Sequence, residues 1–281
     1  MLQNLPGIIQ YIFLPNDIVW ERLSATERSY ILTANRAHNI DREDYKNPEQ
    51  YGEGRVMNGE NWDSQIDRLI RPRGKILAQI LNAKKPHTIL EIGPGPGFYT
   101  KILCEAPSVQ SYVAVDIGQA FLDYLGVRLQ KLAKTKALQY ELLCKEFEKL
   151  DFGPQFDMIV LLSTVHHIPN REELFAQFAK WLKPGGCVVA IDPTHYLLRI
   201  ANLTTKLLWG GYSRRIFWTK RTNLSTHHMC TYREYKKIAR AANLRITDEW
   251  YLLPKGRVIP GHSPWRYLAR EMGIVLEKSI V

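Results

Sequence analysis

The sequence predicts an α/β protein: a mostly parallel sheet with helices on both faces. Short apolar runs alternate with helical patterns from residue 87 onward. The first apolar run ends in Glu91 and turns at once on Gly93, Gly95 and Gly97 before a helical stretch opens. The second ends in Asp116, again at the start of a helical pattern. Strand, tight turn and helix repeated in this way imply crossover connections, and hence parallel strands.

Taken in order, residues 16–37 carry a helical pattern, with Asn16 or Asp17 as a cap and Ile18, Trp20, Leu23, Tyr30 and Ile31 near helical spacing. Residues 41–61 are polar and contain Gly52, Gly54 and Gly59, which predicts a loop. A helix is expected from Trp62 to Leu81, kinked at Pro72. Strands are expected at 87–92, 111–116, 139–144, 157–163 and 186–191, and helices at 97–105, 118–134, 170–181 and 230–242. Leu244–Leu253 and Ile274–Val281 supply two more strands, which makes seven. Residues 194–229 are too long for an ordinary connection and predict a helical insertion after the fifth strand. The domain division is then 1–85, an N-terminal helical extension or lid, and 86–281, the core, with a cap at about 194–229.

The 281 residues are 45% hydrophobic, enough for a buried core without disulfides. Cys104, Cys144, Cys187 and Cys230 form no C-x-x-C pair, which speaks against zinc and disulfide frameworks and for reduced thiols in the cytoplasm. No run reaches the roughly 18–20 apolar residues of a membrane span. Met1–Pro15 lacks a basic start and is broken by Pro6, unlike a signal peptide. Residues 201–240 hold nine basic side chains and one acidic, +8 of the net +10. Such a segment attracts phosphate, carboxylate, nucleic acid or an anionic membrane, or it is simply a solvated face.

A glycine turn between strand and helix presents backbone N–H groups to an anionic or polar ligand. The dinucleotide fingerprint G-x-G-x-x-G would need glycine where Phe98 stands. The segment Glu91-Ile92-Gly93-Pro94-Gly95-Pro96-Gly97 instead resembles the first motif of class I S-adenosylmethionine (SAM)-dependent methyltransferases. Asp116-Ile117 suits a ribose and an adenine face, or a plain helix cap, and would serve either cofactor. Cys144–Phe152 resembles that family's G-D-A-E-x-L-P-F segment, with Glu146 where Asp is usual. Phe156–Pro169 resembles its F-D-x-I…L-H-H-x-P motif, and Leu182-Lys183-Pro184-Gly185-Gly186 its L-K-P-G-G. The resemblance covers about residues 86–192 and lies with the small-molecule branch that includes ubiquinone and menaquinone biosynthesis methyltransferases.

That resemblance implies a Rossmann-like sheet whose last strand is antiparallel, and SAM as cofactor. Gly93, Gly95 and Gly97 would meet its amino-acid end, with Glu91 ordering the turn. Asp116 would meet the ribose, Ile117, Glu146 and Phe147 the adenine, and Leu161 would begin the stretch beside the methionine portion. His166 and His195, at the ends of the fourth and fifth strands, are candidate bases, although a His pair in this motif also serves packing. Arg214, Arg215, Trp218 and His228 are candidate contacts for a small substrate with an apolar body and an anionic group, or the cap touches an anionic membrane. No metal-ligand spacing is present. An RNA methyltransferase, an NAD(P)-dependent oxidoreductase and a non-catalytic SAM-binding domain are the alternatives. Against the first stands the lack of an N-P-P-Y-type motif, and against the second Phe98 in place of the third dinucleotide glycine.

Overall fold

The computed structural model describes residues 71–168, 171–194, 231–253 and 256–279, the side chains of Glu148 and His167 excepted. The expected helix at 16–37, the loop at 41–61, most of the cap, and His195, Arg214, Arg215, Trp218 and His228 lie outside the described residues.

The described elements run α1 (Arg71–Lys84), β1 (Thr88–Ile92), α2 (Thr100–Glu105), β2 (Ser111–Asp116), α3 (Gln119–Thr135), β3 (Gln139–Cys144), β4 (Phe156–Leu162), α4 (Arg171–Trp181), β5 (Leu182–Pro193), α5 (Tyr232–Ala241), β6 (Leu244–Leu252), β7 (Val258–Pro260) and β8 (Glu271–Lys278). Short 3₁₀ turns occupy Phe147–Lys149, Val165–His167 and Pro264–Leu268. The sheet order is β3-β2-β1-β4-β5-β8-β6-β7. Strands β1 to β5 are parallel, and β8 runs antiparallel between β5 and β6.

The sheet has eight strands rather than seven. The addition is β7, three residues between Gly256 and Gly261, too short to show a two-residue period. β5 also begins earlier than expected. Pro184-Gly185-Gly186 reads as a helix stop, yet the chain enters the sheet at Leu182 and absorbs the change in a register shift against Phe156 and Met158.

Alternation along the strands divides the core into two layers. Leu90, Ile92, Val113, Val115, Ile159, Leu161, Val188 and Ala190 face α4 and α5, which contribute Phe175, Phe178, Trp181, Tyr235 and Ile238. Ile89, Tyr112, Ala114, Met158, Val160, Val189 and Ile191 face Ile76, Leu77 and Ile80 of α1, Leu103 of α2, and Leu122, Leu125 and Leu129 of α3. β1, β2, β4 and β5 are covered on both faces and read as near-continuous apolar runs, whereas β3, at the edge, has no buried residue. No helix among the described residues is long and apolar enough to cross a membrane.

The antiparallel end is locked by one close approach. Gly273 of β8 lies opposite Trp250 of β6, and a Cβ at Gly273 would come within 2.0 Å of the indole. Replacing Gly273 by Ala should therefore overpack the sheet and cost about 1–3 kcal/mol. Urea unfolding of the Gly273→Ala variant checks this; unchanged stability would mean the indole is free to leave.

Candidate functional site

β2 lies on one side of β1 and β4 on the other, so the direction of winding reverses between β1 and β4. In an open α/β sheet a crevice forms at that point, beyond the carboxyl ends of the strands. Here the two segments flanking it are the glycine turn after β1 and Ser163–His167 after β4.

The turn is built to bring backbone close. Gly93, Gly95 and Gly97 all have positive φ, at 68°, 53° and 79°. A Cβ on Gly93 would meet the Thr164 side chain at 2.9 Å, and one on Gly97 would meet Leu125 at 2.5 Å. Both positions thus need glycine for conformation and for space. Arg128 of α3 donates to the carbonyls of Pro96 (2.9 Å) and Gly97 (3.3 Å). Those bonds tie the far half of the turn to α3.

Glu91 lies fully inside, beneath the turn. Its Oε2 accepts from the Thr100 hydroxyl at 2.8 Å and from the Tyr112 hydroxyl at 2.5 Å. It therefore ties the end of β1 to the start of α2 and to β2. Burial pushes its carboxyl up to about 7, opposed only in part by those two donors.

Asp116 is shared between two backbone donors. Oδ2 accepts from Gly95 N–H at 3.0 Å and Oδ1 from Gly118 N–H at 2.9 Å. One bond holds the turn and the other fixes Gly118, the residue before α3. Burial raises its pKa, and these N–H groups oppose that shift. The second lone pair on each oxygen is the capacity that a pair of hydroxyls could use. Ile117, half-buried, follows Asp116, and its carbonyl lies 3.6 Å from the Cys144 sulfur of the neighbouring strand. Glu146 is exposed and ion-paired with Lys149 at 2.9 Å. Phe147 is half-buried against the α4-side core. Leu161 is fully buried in the sheet, and Ser163 and Thr164 are the part-exposed residues that follow β4.

On the other side of the crevice, Val165–His167 is a 3₁₀ turn held by one carboxylate. Asp192, 2% exposed at the end of β5, accepts from Val165 N–H (3.2 Å), His166 N–H (3.1 Å) and the His166 ring Nδ1 (2.5 Å). An ionised carboxylate can only accept, so Nδ1 carries the hydrogen and Nε2 is the basic ring nitrogen. His166 is thus oriented by a buried anion at the end of the neighbouring strand.

Two residues of this region were not singled out from the sequence. Asp192 had no visible role until the fold placed it beside a histidine 26 positions earlier. Arg73 of α1 is buried and forks onto both oxygens of Glu271 at the start of β8. It also donates to the Tyr99 hydroxyl (3.0 Å) and to Ser163 Oγ (2.8 Å). Burial works against its charge, but Glu271 and Tyr99 more than offset that, and its pKa is raised. Ser163 itself has φ of 60°, a left-handed backbone uncommon outside glycine. A sequence signal for Arg73 does exist. It falls in the helical stripe with Ile76, Leu77, Ile80 and Leu81, and a charge in an apolar stripe implies a buried partner.

This strand order, the glycine turn at the winding reversal and the antiparallel last strand define the class I SAM-dependent methyltransferase fold. Residues 90–188 match the family model of the methyltransferase domain. The chain is 27% identical over 124 residues to the polyketide synthase component of lovastatin nonaketide synthase from Aspergillus terreus, covering 43% of this chain and 4% of that protein. It is 26% identical over 117 residues to a ubiquinone biosynthesis O-methyltransferase from Pseudomonas paraeruginosa, covering 40% of this chain and 49% of that one. The matched stretch is therefore less than half of either relative. The fold superposes on that of a SAM-dependent methyltransferase from Clostridium acetobutylicum with a TM-score of 0.53 at 13% identity, covering 78% of this chain and 98% of the other. Residues 90–188 are thus a methyltransferase domain on a class I fold, and SAM is the cofactor of that class. Asp116 fits it: each of its oxygens, bonded to one backbone N–H beside the turn, keeps a lone pair for a hydroxyl.

The buried Glu91 gives a pH dependence. Its folded value, about 7, lies above its ordinary value of 4.5, so the native state retains a proton that the unfolded chain releases. Stability should then be greatest below about pH 4.5 as far as this group is concerned, and should fall as pH rises toward 7, by up to about 3 kcal/mol. The difference between the melting temperatures of wild type and Glu91→Gln, followed from pH 5 to 8, reads this directly. Parallel curves would mean that Glu91 is ionised throughout.

Proposed function

We propose that this protein transfers the methyl group of SAM to a small, amphipathic or anionic molecule, at an atom that gives up its proton to His166. The observation that carries this reading is the His166–Asp192 pair beside the glycine turn. SAM, when bound, supplies an electrophilic sulfonium methyl group whose leaving group is neutral. No acid is needed on the donor side, and the protein's tasks are to align the two molecules, exclude water and take one proton.

The residues divide those tasks. Gly93, Gly95 and Gly97 would hold the amino-acid end of the cofactor, Asp116 the ribose, and Ile117 and Phe147 the adenine. Glu146 would reach the adenine only by leaving its ion pair with Lys149. Asp192 keeps the imidazole in the tautomer whose Nε2 accepts, and balances the positive charge that the ring acquires. The two backbone N–H bonds to Asp192 keep that carboxylate an acceptor. The accepting atom is an oxygen, nitrogen or acidic carbon. Basic and aromatic residues of the cap, Arg214, Arg215, Trp218 and His228, would bind the substrate's anionic and apolar parts, with His195 at the same edge. Relatives named for ubiquinone and polyketide biosynthesis agree with a small-molecule substrate, and buried cysteines such as Cys104 and Cys187 with a reducing cytoplasm.

Two measurements check this. With isotopically labelled SAM and cell extract, His166→Gln should lower label transfer about 10²–10⁴-fold and Asp192→Asn nearly as much, with SAM affinity unchanged in both. Wild-type transfer by His166→Gln would remove the base from the mechanism. By calorimetry, Asp116→Ala should weaken SAM binding about tenfold or more, since both its cofactor contacts and its hold on Gly95 are lost. Unchanged affinity would refute the ribose assignment.

A further inference from the structure

Among the described residues, four large apolar side chains are exposed: Val127, Val258, Trp265 and Leu268. Three of them fall within eleven positions at the sheet's last edge. Trp265, at 61%, is the most exposed of the four. Trp265 and Leu268 are three apart in the 3₁₀ turn Pro264–Leu268, and side chains at that spacing eclipse, so they share one face. Val258 opens the edge strand β7, opposite Leu252.

The turn is rigidly mounted. Gly261 packs so closely on Glu249 that a Cβ would lie 2.5 Å from the carboxylate carbon, and its N–H bonds the Glu249 carbonyl. Ser263 Oγ accepts from Trp265 N–H, and Arg266 donates to the Gly261 carbonyl at 2.9 Å and to the Tyr267 hydroxyl. Ile259 and Ala269 point into the core while Val258, Trp265 and Leu268 point out.

Cations frame this apolar face. From Trp250 to Arg270 the chain has Lys255, Arg257, Arg266 and Arg270 and no acidic residue. Arg257 and Arg270 are both exposed and have no ion-pair partner among the described residues. They flank the end of β6: Leu253 N–H bonds the Arg257 carbonyl and Arg270 N–H bonds the Leu252 carbonyl, each at 2.9 Å. That end is the ligand edge of the sheet, since Leu252 pairs with Glu271 and Glu271 with Pro193.

We propose that this face, Val258, Trp265 and Leu268 between Arg257 and Arg270, seats the protein on an anionic lipid surface. A projecting indole with apolar neighbours enters the headgroup–acyl boundary, and flanking guanidiniums meet lipid phosphates. The charge framing is what selects lipid: exposed cations without acidic partners complement a surface that is anionic throughout. Seated this way, the ligand edge lies beside the bilayer, and an amphipathic substrate reaches it without crossing water. The attachment itself requires neither SAM nor methyl transfer.

Vesicle co-sedimentation of the full chain without cofactor tests it, using phosphatidylcholine vesicles with and without 30% phosphatidylglycerol. Binding should require the anionic lipid and weaken with salt. Trp265→Ser with Leu268→Ser should lower partitioning at least tenfold. Arg257→Gln and Arg270→Gln should each lower it about fivefold. Brominated lipid should quench tryptophan fluorescence in the wild type and lose most of that effect in Trp265→Phe. Equal binding by all variants, or none by the wild type, overturns the proposal. So does a dimer that dissociates on Trp265→Ser in sedimentation velocity, which would assign the face to a second copy. Acrylamide quenching that fails to reach Trp265 in the free protein overturns it too, since the chain's own segments would then cover it.

Discussion

The site rests on a carboxylate with no access to water. Glu91 ends β1 inside the protein, and its bonds to Thr100 and Tyr112 join the strand, the helix after the turn and the next strand. Between those fixed points the turn takes three left-handed positions, at Gly93, Gly95 and Gly97. Within it the N–H groups of Gly93, Gly95 and Gly97 are tied to Val115, Asp116 and Pro94, at the winding reversal of the sheet. The cost is a carboxyl held far above its ordinary pKa. Binding geometry is thus maintained at the expense of stability, as is common at functional sites.

Across the crevice the same device recurs with a different outcome. Asp192 also sits at a strand end and also organises the turn of a neighbouring strand, through Val165 and His166. It faces a histidine ring instead of hydroxyls, so the carboxylate fixes a tautomer as well as a loop. A third strand-end carboxylate, Asp116, holds Gly95 from the side of β2. Glu91 and Asp116 thus anchor the glycine turn and Asp192 the turn that faces it. Arg73 and Glu271 tie the helix before β1 to the last strand around the same edge.

Much of this was readable from the sequence because it is local. Apolar runs placed β1 to β4 to within one residue at each end, while β5 starts four residues before its apolar run and ends two after it. The glycine turn was legible because its spacing is a backbone requirement. What escaped depends on tertiary pairing. β7 is three residues long, and its partner Trp250–Leu252 lies across a turn, so no period announced it. β8 begins at Glu271, three residues before the expected start, where it pairs with Pro193 and Leu252 and its side chain meets Arg73. Asp192 carries no local signal, because its partner His166 lies 26 positions earlier in the chain. Leu161 is a component of the sheet interior, and the positions after it, Ser163 and Thr164, are the ones that reach the turn and Arg73.

The most direct test of the account is a crystal of the full chain grown with S-adenosylhomocysteine. The account requires the amino-acid end of that ligand on the backbone of Gly93–Gly97 and its ribose hydroxyls on Asp116, with His166 still bonded to Asp192 on the facing wall. A ligand seated elsewhere, or a turn that stays filled by the protein's own side chains at saturating ligand, would contradict it.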